Sequence, residues 1–240
     1  MKHPTIRAIL LAAGLGTRLR PITLQTPKCL VSVGGQPLLE RWLRQLEKAG
    51  CKEAIINTHY LAKQVENFLQ DRPPSNMIIK TSYETKLLGT AGTLLANKSF
   101  FEDGTGLLIH ADNAMEDDLG TFLTAHKARH SDCLLTMLTF NTDNPRSCGI
   151  VNCNSNGVID AFYEKVDNPP GNRANGALYA FDQLFLDYLS SIDPEPSDFS
   201  TEVLPTMLGR MQACHTKGHY LDIGTPAALA KAQTVIAPIQ

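Results

Sequence analysis

The chain has 240 residues, 43% of them hydrophobic and 19% charged, the balance of an ordinary globular protein. Its net charge of −2 gives no basic field for nucleic acid or an anionic membrane surface, and no apolar run approaches the ~20 residues a membrane span needs. Met1-Lys2-His3-Pro4 runs straight into an apolar strand without a signal-peptide core, and six cysteines lie scattered without a Cys-x-x-Cys pair, which points to reduced thiols in the cytoplasm.

Residues 6–11 form a short apolar run suited to a buried strand. It leads into Leu11-Ala12-Ala13-Gly14-Leu15-Gly16-Thr17-Arg18-Leu19-Arg20-Pro21, closed by Pro27-Lys28. Glycines let the backbone bend and let a ligand approach its amides, and successive free N–H groups make an anion-binding concavity. Arginine adds a planar fork of donors that matches phosphate oxygens. A P-loop needs four residues between its glycines followed by Gly-Lys-Ser/Thr, and a dinucleotide fingerprint needs a third glycine where Leu19 stands, so neither applies. The loop reads as a phosphate site of another kind, or as a strand-to-turn loop whose arginines face water.

After a Gly34-Gly35 turn, apolar residues at three- and four-residue steps (Leu39, Trp42, Leu43, Leu46, Ala49) predict an amphipathic helix ended by Gly50. A strand over 52–57, a helix over 62–69, a strand over 77–79, a helix over 90–96 and a strand over 107–109 follow. The alternation argues for a doubly wound, mainly parallel sheet flanked by helices. A helix is expected over 118–130 and a strand over 133–140. From Gly149 the runs 149–152, 157–164 and 175–181 suggest antiparallel or mixed strands. Helices over 183–190 and 201–211, a strand over 213–216 and a helix from Pro226 complete the reading. The chain is expected to be a single domain, 1–240, with a nucleotide-binding half to about 148 and a second half from about 149.

Asp112 and Asp222 each follow a predicted strand, so in an open α/β sheet both can converge on the crevice beside the glycine loop, where ligands bind. Two such carboxylates suit Mg²⁺, which takes one or two protein carboxylates plus phosphate oxygens, although either aspartate alone could simply cap a turn. Lys165 offers a point charge for a second phosphate and Glu164 an acceptor for hydroxyls, or the pair is solvated surface. Asn175-Gly176 and Ser200-Thr201-Glu202 could add polar groups. His126 and His130 have neither a third ligand nor a general base beside them and read as surface or core residues.

In their order along the chain these residues resemble the sugar-1-phosphate nucleotidyltransferases. The likeness runs from the glycine loop and Pro27-Lys28 through Tyr83-Glu84, Leu88-Gly89-Thr90-Ala91-Gly92, Asp112, Glu164-Lys165 and Asn175-Gly176 to Asp222-Ile223-Gly224-Thr225-Pro226. The resemblance implies a glycosyltransferase-A-like, Rossmann-like α/β fold. It also implies transfer of a nucleotidyl group from an NTP to a sugar 1-phosphate, giving NDP-sugar and pyrophosphate.

On that resemblance Leu11, Ala12, Ala13, Gly14, Gly16, Thr17, Arg18, Gly89 and Thr90 would hold the nucleotide, with Arg18 on the departing phosphates. Lys28 would contact the α-phosphate and the incoming sugar phosphate, Asp112 and Asp222 would hold Mg²⁺, and Lys165 would grip the sugar phosphate. Glu164, Asn175 and Gly176 would face the sugar. The run 88–92 looks most like mannose- and heptose-1-phosphate guanylyltransferases, which favours GTP over UTP, dTTP or CTP. Departures from the family pattern at Cys29, His110, Cys148 and Tyr220 remove no charge from this set. A non-catalytic regulatory subunit that binds nucleotide-sugars is the alternative from another class. No β-helix repeat is expected after the catalytic unit, nor nucleic-acid or membrane partners, while homo-oligomers are common in the family.

Overall fold

The computed structural model describes residues 5–101 and 104–236. In chain order its elements begin with β1 (Thr5–Leu11), β2 (Ser32–Val33), β3 (Gln36–Pro37), α1 (Leu38–Lys48), β4 (Glu53–Thr58), α2 (Ala62–Asp71) and β5 (Ile78–Tyr83). Next come α3 (Gly89–Ala96), β6 (Gly104–His110), β7 (Asn113–Met115), α4 (Leu119–Lys127) and β8 (Leu135–Asn141). The chain then forms β9 (Gly149–Cys153), β10 (Ile159–Glu164), β11 (Arg173–Phe181), α5 (Gln183–Ser190), β12 (Met211–His215), β13 (Tyr220–Asp222) and α6 (Pro226–Val235). The fold is α/β, with a mixed, mostly parallel sheet flanked by helices.

Two compact units interleave along the sequence. One, the loop unit, takes Ile6–Leu87, Ile109–Leu119 and the chain from Gly218 on; the other, the bulge unit, is built chiefly from Leu88–Leu108 and Gly120–Lys217.

In the loop unit β1, β4 and β5 are parallel, with Leu11 opposite Asn57 and Asn57 opposite Ser82, so their carboxyl ends share one edge. The apolar stripe of α1 buries Leu38, Leu39, Trp42, Leu43 and Leu46. Arg72, just past α2, ties to α1 through Glu40 at 2.6 Å and Glu47 at 2.8 Å. A separate core gathers Leu19, Val31, Val33, Leu38, Ala114, Ile223 and Ala232. It sets the glycine loop, the β2–β3 hairpin and α6 against the segments that carry Asp112 and Asp222.

In the bulge unit β8 lies between β11, antiparallel, and β12, parallel, and β9 pairs antiparallel with β10. The mixed strands expected after Gly149 are therefore present. Phe101, Phe181, Phe185, Phe199 and Tyr179 form a chain of rings with centroids 4.7 to 5.9 Å apart. The helix expected over 201–211 is not formed. A short π-turn, Phe199–Val203, passes into a 3₁₀ turn, Leu204–Met207. Asp198 caps Thr201 N at 2.8 Å and Glu202 folds back onto Ser197 N at 2.6 Å, so the turn starts early. Pro205 has no N–H to continue an α-helical ladder. The helix expected to reach 130 ends at Lys127, which leaves His130 outside it.

His126, 2% exposed, has Nδ1 2.8 Å from Thr136 Oγ1. Burial, and then the charge of Arg129, push its pKa down to about 3. An unfolded chain protonates this histidine near 6.5, whereas the folded chain holds it neutral, so its contribution to stability is complete above 6.5 and is lost as pH falls towards 3. Urea unfolding across that range should show a loss in the wild type steeper than in His126→Gln by up to about 1.4 kcal/mol per pH unit. Equal pH dependence in the two proteins would contradict the assignment.

Candidate active site

The glycine loop is anchored from beneath. Asn57, 3% exposed at the carboxyl end of β4, accepts from Ala12 N at 2.6 Å and Ala13 N at 3.3 Å. It donates in turn to Glu84 Oε1 at 2.9 Å. The Ala12 and Ala13 amides thus serve the protein itself. Those of Gly14, Leu15 and Gly16 make no hydrogen bond among the described residues, and Gly14 and Leu15 are exposed. Three successive N–H groups are thus left unclaimed, which is what an anion-binding concavity requires.

Gly16 adopts φ 61°, and Thr23, 1% exposed, donates its hydroxyl to Gly16 O at 2.7 Å. A Cβ at Gly16 would lie 2.8 Å from Thr23 Cγ2. Positive φ and the lack of room both require glycine here. Arg18 follows, exposed and without a hydrogen-bond or ion-pair partner among the described residues. Its guanidinium passes over Gly224, where a Cβ would come within 3.1 Å of both Arg18 Nη2 and Asp222 Oδ2.

Asp112 and Asp222 are brought together by short local pairing. β7 and β13 run antiparallel with Asn113 opposite Asp222, and Ile223 N donates to Asp112 O at 3.2 Å. Asn113 is itself held by α1, because Trp42 Nε1 donates to its carbonyl at 2.8 Å while its side chain donates to Tyr220 OH at 2.9 Å. Gln45 adds bonds to Met115 O and Asp117 O at 3.2 and 3.0 Å.

Lys28, 9% exposed, leads a 3₁₀ turn after Pro27 and points its ammonium between the two carboxylates. It pairs closely with Asp112 Oδ2 and lies 3.5 Å from Asp222 Oδ1. Burial opposes ionisation of Asp112, but the charges of Lys28 and His110 outweigh it and hold the carboxyl below the usual range. The neighbouring Cys29 thiol is pushed up to about 12, by burial first and by Asp112 second, so it stays protonated.

Asp112 and Asp222 are the two carboxylates that could hold a cation here. Both reach one positive charge, and no group of three or more His, Cys, Asp or Glu suited to a metal occurs among the described residues. A metal that accepts two protein carboxylates and completes its shell with phosphate oxygens and water fits that donor set.

The bulge unit carries the remaining predicted residues. Lys165 (φ 49°) pairs with Glu164 at 2.7 Å, and the Glu164 carboxylate lies so close to Gly149 that a Cβ there would meet it at 2.6 Å. Asn175 and Gly176 sit where the β11–β8 register shifts. Gly89 (φ 80°) opens α3 with Ser197 O only 2.3 Å from where a Cβ would stand, and Thr90 Oγ1 accepts from Phe199 N at 2.7 Å. Ser197 O also takes the Ala91 and Gly92 amides, at 2.9 and 3.3 Å, so this helix start is tied to its own unit. Sequence reasoning missed Asn57, Thr23, Asn113 and Tyr179, whose contacts carry no local signature.

A nucleotidyl transferase family model matches residues 7–238, and the chain belongs to that family. Among curated relatives, the Drosophila melanogaster mannose-1-phosphate guanylyltransferase catalytic subunit beta is 31% identical over 225 residues, covering 92% of this chain and 60% of that protein. The mannose-1-phosphate guanyltransferase of Schizosaccharomyces pombe is 30% identical over 228 residues, covering 92% and 61%. The chain thus spans about three fifths of the length of these relatives. Among solved structures, a Bacillus anthracis protein assigned as a glucose-1-phosphate thymidylyltransferase superposes with TM-score 0.86 at 23% identity, over 98% of this chain and 97% of that one. HddC from Yersinia pseudotuberculosis gives 0.76 at 25% identity, over 95% and 98%.

Gly16→Ala is expected to lower the unfolding free energy by about 1–2 kcal/mol, the cost of a left-handed conformation for a non-glycine residue. Gly14→Ala, with nothing within 4 Å of its Cβ position and no positive φ, should stay within about 0.5 kcal/mol of wild type. Urea denaturation of the two variants checks the difference, and equal effects would contradict the loop geometry.

Proposed function

We propose that the chain transfers a nucleotidyl group from an NTP to a sugar 1-phosphate, releasing pyrophosphate, with GTP and a mannose- or heptose-type sugar phosphate as the substrates. The observation that carries this reading is the cluster in the loop unit: loop amides and an Arg18 without partners among the described residues, and Lys28 between two carboxylates. Family membership and the mannose-1-phosphate guanylyltransferases among its relatives support it.

A sugar-phosphate oxygen is already anionic and needs no general base to attack the α-phosphorus. The barrier lies in bringing two polyanions together and in neutralising charge as pyrophosphate leaves, a task of positioning and electrostatics. In this reading the loop amides and Arg18 hold the departing phosphates. Lys28 lies nearest the α-phosphate, where it can exchange part of its contact with Asp112 for phosphate oxygens. Mg²⁺, held by Asp112 and Asp222, would supply further charge neutralisation when bound. Lys165 grips the sugar phosphate, while Glu164, Asn175 and Gly176 meet the sugar hydroxyls.

The six cysteines are all free, and no helix among the described residues is long and apolar enough to cross a membrane. We read the enzyme as cytoplasmic.

Pyrophosphate release by the isolated chain, measured over a panel of NTPs and sugar 1-phosphates, tests the proposal; no release with any pair would overturn it. Arg18→Ala should cut turnover by about 100-fold or more with an unchanged melting temperature, because the side chain has no partner among the described residues to lose. Lys28→Ala should cut turnover as deeply and also lower the melting temperature, because it leaves two carboxylates facing each other. Wild-type turnover in either variant would contradict these roles.

A further inference from the structure

Tyr179 is 1% exposed and its ring packs on Phe199 at 4.7 Å, yet its hydroxyl meets the side chain of Asn175, four residues earlier on the same strand. In an extended strand those positions stand about 13 Å apart, too far for such a contact. They meet because β11 bulges. Asn175 is opposite Thr139 and Tyr179 opposite Met137, with the register shift between them. Ala177, in the middle, takes φ 50°. A left-handed alanine costs about 1–2 kcal/mol and persists only where surrounding contacts impose it.

Ser200 adds a side-chain hydrogen bond to the phenol, and the contacts that reach into the bulge meet at the Asn175 amide. Its Oδ1 accepts from Ala177 N at 2.8 Å, which fixes which end of the amide is oxygen. Its Nδ2 then donates to Tyr179 OH at 2.7 Å, and the phenol can return a bond to Oδ1 at 3.0 Å. Burial pushes the Tyr179 phenol far above its ordinary range, so it acts as a neutral hydroxyl throughout. The second N–H of Asn175 has no acceptor among the described residues, so one directed donor is left over. The negative charges of Glu164 and Asp198 push the same phenol further up.

We propose that Tyr179 is the positioning residue for Asn175: the strained bulge and the buried phenol together aim one amide N–H at a sugar hydroxyl of the acceptor. The proposal rests on the reading above in which Asn175 faces the sugar. Glu164 supplies an acceptor and Asn175 a donor, so the sugar is read by two groups of opposite hydrogen-bonding character. Tyr179 does not touch the substrate and acts only through the amide.

Tyr179→Phe keeps the ring and removes only the hydroxyl. With GTP and α-D-mannose 1-phosphate as probes, it should raise KM for the sugar phosphate about fivefold, the scale of one neutral hydrogen bond, and leave KM for GTP within about twofold. Added to Asn175→Ala it should have no further effect, since the two act as one unit. In the ligand-free protein, the Asn175 side-chain amide signals, identified by their loss in Asn175→Ala, should move in Tyr179→Phe. Unmoved amide signals would overturn the pairing whatever the substrates are. An unchanged sugar KM in Tyr179→Phe, alongside a raised one in Asn175→Ala, would overturn the positioning role. An unchanged sugar KM in Asn175→Ala itself would instead overturn the reading that Asn175 faces the sugar. Equal rises in both KM values, or additive effects in the double variant, would mark general destabilisation and likewise overturn the proposal.

Discussion

The site in the loop unit depends on one ammonium group. Lys28 lies between Asp112 and Asp222, two carboxylates that would otherwise repel each other at the ends of adjacent strands. Deleting one partner of a fully buried pair costs about 3 kcal/mol or more; here the cost is lower, and lower for the half-exposed Asp222 than for Asp112. The surroundings exist to hold this junction. Trp42, Gln45 and Tyr220 fix β7 and β13, and the small core around Leu19, Val31 and Ile223 sets the turn bearing Lys28.

Beside the junction, the glycine loop separates its amides by task. Asn57 takes the first two for structure and leaves the next three open, so the same loop is both rigid and receptive. Arg18 has no partner among the described residues at the end of this row. An unpaired guanidinium costs little at an exposed position and is worth most when a phosphate arrives, which is the economy expected of a site that stabilises developing charge. The bulge unit shows the same division of labour on β11, where backbone strain at Ala177 orients a polar side chain.

Much of this was legible in the sequence, and the part that was not has a physical reason. The glycine loop, both aspartates at strand ends and the change to mixed strands after Gly149 carry local signals in spacing, turn residues and apolar period, while Lys28 stands out only through the family resemblance. Asn57 and Thr23 carry none, because an ordinary Asn at a strand end and a Thr in a loop become anchors only when the chain folds them under Ala12 and Gly16. Tyr179 carries none either, because only the bulge in β11 brings its hydroxyl to Asn175. The helix expected over 201–211 failed on a local competition, in which Asp198 and Glu202 cap an earlier turn and Pro205 denies the ladder its donor.

The most direct test is a crystal structure of the chain with Mg²⁺ and a non-hydrolysable GTP analogue. The account predicts the triphosphate lying along the amides of Gly14, Leu15 and Gly16. Arg18 should contact its outer phosphates, and Lys28 its α-phosphate. A triphosphate bound away from this loop, or one that leaves Arg18 and Lys28 without a phosphate contact, would contradict it.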